Sequence, residues 1–427
     1  MTKKWKISTQ AVQGGYSPDG TGSRTLPIYQ TTAYEFQNAD HAARLFDLKE
    51  FGNIYSRITN PTVGAFEEKV NLLEGGSGAL AVSSGQAAIT LSIFNICQSG
   101  QHIVAASTLY GGTYTLLGTT LAKMGIEVTF VDPDADAEEI QKAFKDNTRA
   151  IFAETIGNPG LNILDFGKFK ELSVKNQVPL IIDNTFATPA LFRPFEHGAN
   201  IVIYSATKYL SGHGNSLGGI IVDGGNFDWN NGKFPELTEP DPSYHGIKYV
   251  EAFESMAYIL KARVQLLRDL GPCISPFNAF LMNMGLETLP LRMNKHSENA
   301  LALSRYLETH EKISWVSYPA LQSHQSYALS QKYFTDGASG ILTFGIKGGR
   351  EAGKEFINQV ELASLVANVG DTRTLVIHPA STTHSQLTPK QQLASGVTQD
   401  LVRVSVGIED IEDIIQDFEQ ALEKLVG

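Results

Sequence analysis

Seven short apolar, β-branched runs recur through the middle of the chain: ALAV (79–82), HIVAA (102–106), EVTFV (127–131), AIFA (150–153), VPLII (178–182), IVIY (201–204) and GGIIV (218–222). Most gaps between the earlier runs hold helix-like segments, such as QAAITLSIFNI, GTYTLLGTTLAKMG, DAEEIQKAF and DFGKFKELSVKN. Strand runs alternating with helices predict an α/β fold, a mainly parallel seven-stranded sheet flanked by helices. Residues 1–62 lack the alternation and are expected to form an N-terminal arm, with disorder as the alternative. The sheet domain then covers 63–264, with a Gly-, Asn-, Pro- and aromatic-rich insertion at about 224–253 that reads as a long ordered loop. ILKARVQLLRDLG and KHSENALALSRYLETH (295–310) predict helices. GILTFGI and LVRVSV, interleaved with GREAGKEFINQVE and the closing EDIEDIIQDFEQALEKLV, predict a smaller α+β C-terminal domain over 265–427.

Composition narrows the partners. With 427 residues, 42% hydrophobic and 19% charged, the chain can bury sizeable cores. A formal net charge of −11 argues against nucleic acid or an anionic membrane as main partner. The N-terminus has no apolar core of signal length and no run approaches a membrane span, so a cytoplasmic protein is expected. Cys97 and Cys273 lie neither in CxxC spacing nor near a histidine pair and read as reduced packing residues; no metal site is expected.

Ligands of α/β sheets bind beyond the carboxyl ends of the strands, so the polar residues there are the first candidates. After ALAV comes SSGQAA, a turn opening a helix whose free N–H groups suit a phosphate; a plain serine N-cap is the alternative. The turn matches neither a dinucleotide fingerprint nor a P-loop. After VPLII comes Asp183, a carboxylate at the end of a buried strand that needs a cationic partner. A protonated heterocyclic nitrogen, a nearby arginine or a cap on the next turn would each serve. After IVIY comes SATKYLSGHGN, with Lys208 beside Ser205 and Thr207. A desolvated lysine can form a Schiff base with a carbonyl, whereas an ordinary one extends into solvent. Together, a phosphate cradle, a carboxylate and an amine at neighbouring strand ends match what pyridoxal 5'-phosphate requires.

YSRITNPT (55–62), SSGQAA (83–88), LYGGTYTLL (109–117), ETIGNP (154–159), IDNTFATP (182–189), YSATKYLSGHG (204–214), NVGDTRTLVIHPASTTH (368–384) and VRVSVGIED (402–410) extend the pattern over nearly the whole chain. In order and spacing the sequence resembles the Cys/Met metabolism family of pyridoxal-phosphate enzymes, which implies the type I aminotransferase fold. One departure is Asn200, in GANIVIYSATK, where the family pattern favours Asp. The resemblance implies that Lys208 carries the Schiff base and shuttles protons, and that Asp183 pairs with the pyridinium nitrogen. Gly85 and Gln86 N–H groups, with the Ser205 and Thr207 hydroxyls, would hold the phosphate. Tyr55 and Arg57 would reach it from a neighbouring subunit, implying a homotetramer of active-site-sharing dimers. Tyr110 would stack on the ring and assist at the leaving group, Asn158 would face the phenolic oxygen, and Arg403 and Asn368 would bind substrate. The insertion, Gly112 and Asn368 are similar to the branch acting on O-acetylhomoserine. That branch implies γ-replacement by sulfide or a small thiol, with cystathionine synthase or lyase chemistry, methionine lyase chemistry and, remotely, a non-catalytic scaffold as alternatives.

Overall fold

The seven apolar runs become seven strands: β1 (Gly78–Val82), β2 (His102–Ala106), β3 (Glu127–Val131), β4 (Thr148–Glu154), β5 (Leu180–Asp183), β6 (Ile201–Tyr204) and β7 (Gly219–Asp223). They were traced in a computed structural model that describes residues 5–425 except 336, 384, 387 and 395. The sheet order is β1-β7-β6-β5-β4-β2-β3. Only β7 runs antiparallel to its neighbours, so the carboxyl ends of the other six lie along one edge. Every residue of β1, β2, β6 and β7 is buried, the result expected when helices cover both faces. β3 sits at the sheet edge, and its exposed Glu127 pairs with Lys145.

The covering helices start where the sequence supplies a cap. Ser84 Oγ accepts the Ala87 N–H at 3.2 Å and opens the helix Gly85–Phe94, while Asp165 caps Phe166–Asn176 through the Gly167 N–H. The segment GTYTLLGTTLAKMG is more complex than a single helix: an α-turn, Gly111–Thr115, runs into the π-helical stretch Leu116–Leu121. ILKARVQLLRDLG likewise contains a π-helical stretch, Ala262–Leu267. The insertion is ordered, with short helical turns at Pro235–Thr238, Pro242–Tyr244 and Tyr249–Phe253. Trp229 anchors it by stacking on the buried Tyr258, ring centroids 5.3 Å apart. The N-terminal segment holds two helices that the sequence reading missed, Ile7–Gln13 and Ala39–Phe46. The first buries Ala11 and packs against the helix Pro61–Glu74.

A second sheet, β8 (Ile313–Ser317), β9 (Ile341–Ile346), β10 (Ser364–Leu365), β11 (Leu375–Ile377) and β12 (Leu401–Ser405), has the order β10-β11-β12-β9-β8. Only the β10–β11 pair is parallel. Its core gathers Leu342, Phe344, Val402, Val404, Phe356 and Phe418, separate from the core of the first sheet. The long helix Leu289–Thr309 contributes to both cores. Its buried Arg292 donates to the carbonyls of Tyr209 (2.8 Å), Leu210 (3.3 Å) and Gly285 (2.6 Å), clamping the segment that follows Lys208. The expected outcome of Arg292→Met is a loss of about 3 kcal/mol, because the Tyr209 and Leu210 carbonyls lose their Arg292 donor and the Gly285 carbonyl keeps only a long bond from the Thr288 hydroxyl. A lowered urea midpoint would register it.

Candidate active site

The strand order places the candidate residues in a row along one edge. From one end these are the loop after β2 with Tyr110, the end of β4 with Glu154, the end of β5 with Asp183, and the turn after β6 with Ser205, Thr207 and Lys208. The start of β7 and the SSGQAA turn after β1 complete it. Backbone meets backbone at this end. A Cβ on Gly219 would lie 2.1 Å from the Ser84 carbonyl oxygen, and one on Gly85 would lie 2.7 Å from Ser205 Cβ. Glycine is required at both positions by this approach. The Gly85 and Gln86 N–H groups have no acceptor among the described residues, and the Ser205 hydroxyl is also without a partner. The turn thus carries a serine cap and, beside it, N–H groups left without an acceptor among the described residues. The Thr207 hydroxyl is engaged differently: it donates to the Gly218 carbonyl and accepts from the Gly218 N–H, both at 3.1 Å.

Thr185 orders the next element. Its N–H and hydroxyl donate to Asp183 Oδ1 at 3.0 and 2.5 Å, and its oxygen accepts the Ser205 N–H at 2.9 Å. Asp183 Oδ2 accepts no hydrogen bond among the described residues. Burial pushes the Asp183 carboxyl above the usual range, against the opposing Thr185 hydrogen bonds. Glu154, its registered partner on β4, is pushed well up by burial and by the neighbouring Asp183 charge. Its Oε1 accepts the Tyr110 N–H at 2.7 Å.

Lys208 Nζ donates to Asn368 Oδ1 at 2.5 Å, bringing the loop between β10 and β11 onto the strand ends. Burial first, and the Arg403 charge second, pull its pKa from 10.5 down to about 8. Arg403 sits in the middle of β12, between β9 and β11. Burial lowers its proton affinity, and Tyr110 and Tyr209 lie close enough to act on it. Its guanidinium has no hydrogen bond or ion pair among the described residues. A desolvated guanidinium without a carboxylate is an open receptor for one. Arg373, in contrast, is exposed and pairs with Asp371 at 3.1 Å.

Asn158 lies in the loop after β4, ahead of a cis bond to Pro159, and its side chain makes no hydrogen bond among the described residues. Tyr55 and Arg57 stand apart: no hydrogen bond or ion pair among the described residues joins them to the row. The Arg57 guanidinium lies 5.1 Å from the Tyr55 ring centroid, and its buried Nε has no partner. Cys97 is buried with its thiol pushed up to about 12 by burial, and Cys273 is half-buried; both are free. Glu154 and Thr185 were not singled out from sequence, although both lie inside motifs, ETIGNP and IDNTFATP, that follow strand runs. His384, the last residue of NVGDTRTLVIHPASTTH, lies outside the described residues.

The donor set fits pyridoxal 5'-phosphate: free N–H groups and a free hydroxyl for the phosphate, Asp183 for the ring nitrogen and a desolvated amine for the aldehyde. A model of the Cys/Met metabolism PLP-dependent enzyme family matches residues 8–423. The chain is 54% identical over 435 residues to an O-acetyl-L-homoserine sulfhydrylase from Leptospira meyeri, covering 100% of this chain and 98% of that protein. It is 49% identical over 421 residues to a homocysteine synthase from Schizosaccharomyces pombe, covering 98% of each. Among solved structures, a candidate O-acetylhomoserine (thiol)-lyase from Campylobacter jejuni superposes with a TM-score of 0.95 at 40% identity. That match covers 98% of this chain and 100% of that one, and that crystal carries N'-pyridoxyl-lysine-5'-monophosphate.

Two outcomes are expected. Gly219→Ala forces the Ser84–Gly85 turn away from β7 and weakens pyridoxal phosphate binding by about tenfold or more, as one strained backbone contact warrants; fluorescence titration of the apoprotein measures it. In the apoprotein, Lys208 becomes acylated with a midpoint near pH 8, because its amine is neutral above the lowered pKa of about 8. Competitive labelling read by peptide mass spectrometry tests this, and a midpoint near that of exposed lysines would contradict it.

Proposed function

The chain belongs to the Cys/Met metabolism family of PLP-dependent enzymes, and on that footing we propose that it catalyses γ-replacement on O-acetylhomoserine. Sulfide is the incoming nucleophile, and homocysteine and acetate are the products. The observation that carries the reading is a desolvated amine, Lys208, beside an unpaired guanidinium, Arg403, at the edge where a phosphate cradle and Asp183 converge. An amino-acid substrate brings the carboxylate that Arg403 lacks. Relatives named as O-acetylhomoserine sulfhydrylases and homocysteine synthases, similar over their full lengths, support the choice of branch.

Bound pyridoxal 5'-phosphate supplies the electron sink that makes the Cα and Cβ protons of an amino acid acidic. The Gly85 and Gln86 N–H groups and the Ser205 hydroxyl would hold its phosphate, Asp183 its ring nitrogen, Asn158 its phenolic oxygen and Lys208 its aldehyde carbon. Thr207, its hydroxyl proton committed to Gly218, would help through its oxygen alone. Arg403 grips the substrate carboxylate with its planar fork and so sets the orientation of Cα. Lys208 Nζ, its proton affinity brought towards neutral pH by burial, takes the Cα proton and returns it. Asn368 Oδ1 holds that amine in place when it is not reacting. The Tyr110 hydroxyl serves the leaving acetate at Cγ. Tyr55 and Arg57, joined to this row by no hydrogen bond or ion pair among the described residues and with an Arg57 Nε that has no hydrogen-bond partner there, complete the phosphate site of a second copy. This agrees with an oligomer of dimers, and a cytoplasmic location suits the substrates.

The test is incubation of cofactor-loaded protein with O-acetylhomoserine and either sulfide or cysteine, with products identified by mass spectrometry. Homocysteine with sulfide, formed far faster than cystathionine with cysteine, is expected; dominant cystathionine would move the function to the synthase branch. Lys208→Ala is expected to abolish turnover while retaining non-covalent cofactor. Arg403→Lys loses the bidentate fork and is expected to raise KM for O-acetylhomoserine by about tenfold to a hundredfold, the range for a charge-assisted pair.

A further inference from the structure

Glu154 stands between two groups to which the reading above gives roles, Asp183 on β5 and Tyr110 after β2, and has itself been given none. We propose that Glu154 is a positioning residue: by accepting the Tyr110 N–H it fixes the main chain that carries the Tyr110 ring over the cleft beside Asp183. The inference rests on the pyridoxal phosphate reading of the site, where it adds a residue that touches neither cofactor nor substrate.

The local geometry leaves Tyr110 few other restraints. Its side chain is 52% exposed and makes no hydrogen bond among the described residues. It precedes the short helix Gly111–Thr115 as an N-cap without a side-chain cap, at φ −49° and ψ 132°. Its carbonyl accepts from the Tyr114 N–H inside that same short helix, so this bond does not tie it to the sheet. The 2.7 Å bond to Glu154 Oε1 is the hydrogen bond that does. The ring in turn lies back over Gly112, where a Cβ would come within 2.5 Å of Tyr110 Cε1 and 3.0 Å of Gln86 Nε2. A shift of the main chain at residue 110 therefore moves the ring along the row of cofactor anchors.

The chemistry at this position is restrictive. Glu154 and Asp183 are registered neighbours on parallel strands, so their side chains share a face of the sheet. The groups facing Glu154 are the Asp183 carboxyl from β5 and the main chain of Tyr110 from the β2 loop. Two adjacent charges there would repel, and burial together with the Asp183 charge raises the proton affinity of Glu154. Glu154 is thereby pushed towards its neutral form, and the bond from the Tyr110 N–H asks of it only an acceptor oxygen at this distance. A neutral acceptor of the same length is then sufficient, and Glu154→Gln is the conservative replacement.

Hydrogen–deuterium exchange on the cofactor-loaded protein without substrate, followed over residues 108–114, reads the anchor directly. Glu154→Ala and Glu154→Asp, the second keeping the carboxyl group but withdrawing the acceptor, are expected to exchange the Tyr110 amide about tenfold faster, as loss of one buried hydrogen bond implies. Both are expected to lower kcat about tenfold with KM for O-acetylhomoserine within about threefold, since the ring acts after binding. Glu154→Gln is expected to match the parent protein in exchange and kcat; should the alanine variant fail to fold, the aspartate variant carries the comparison. Unchanged exchange in the acceptor-deficient variant would overturn the proposal. So would a Gln variant as defective as Ala, since the carboxyl group and not the acceptor would then matter. The exchange pattern does not depend on which thiol or ester reacts, so absence of homocysteine from the parent protein would sink the sulfhydrylase reading alone.

Discussion

Four ionisable side chains, Glu154, Asp183 and Lys208 from one edge of the first sheet and Arg403 from the second sheet, are partly withdrawn from water with no ion pair between them. Each is pushed towards its neutral form, the carboxyls upwards and the amine and guanidinium downwards. Desolvated charge without a partner opposes folding, and nearby groups relieve it only in part: Thr185 on Asp183, Asn368 on Lys208, the Tyr110 N–H on Glu154. The rest of the molecule must hold this arrangement in place. A ligand bearing a phosphate, a ring cation and an aldehyde, followed by a substrate carboxylate, supplies the missing partners. Binding and catalytic competence therefore have one physical origin.

Two packed cores make the arrangement possible. The first sheet delivers Asp183 and Lys208, and the second delivers Arg403 and Asn368, so the site exists only where the two meet. That junction is held by polar contacts of short reach. Arg292 clamps the carbonyls after Lys208, the Thr372 N–H donates to the Gly212 carbonyl at 2.8 Å, and Gly370 lies against the Lys208–Tyr209 backbone. Gly370 adopts φ +74°, and an added Cβ would come 2.6 Å from the Tyr209 nitrogen. Only glycine meets both demands, the left-handed backbone and the close approach.

The fold class was legible because strands buried under helices are mostly apolar, and this chain repeats apolar, β-branched runs seven times, with only the edge strand β3 largely outside the core. β8, β10 and β11 were not legible: SL and LVI are too short for a periodicity, and ISWVS alternates only weakly. The helix Ile7–Gln13 was missed because its apolar face is little more than Ala11 and Ile7, and it is held by packing on another helix. In the site, Asp183 and Lys208 stood out because a charged residue directly after an apolar run is chemically conspicuous. Glu154 occupies an equivalent position but escaped notice, since its meaning depends on having Asp183 on one side and Tyr110 on the other.

By itself the sequence determined the strand and helix alternation, the buried runs and the residue types at the strand ends, because burial and backbone hydrogen bonding act on local patterns. Tertiary structure decided the order of those ends. It set Glu154 between Tyr110 and Asp183, engaged the Thr207 hydroxyl with Gly218, and brought Asn368 to Lys208 from 160 residues away. It also left Arg403 without a hydrogen-bond or ion-pair partner among the described residues. Those outcomes depend on strand register and on which surfaces pack together, and both are settled only when the two sheets close over a common cleft.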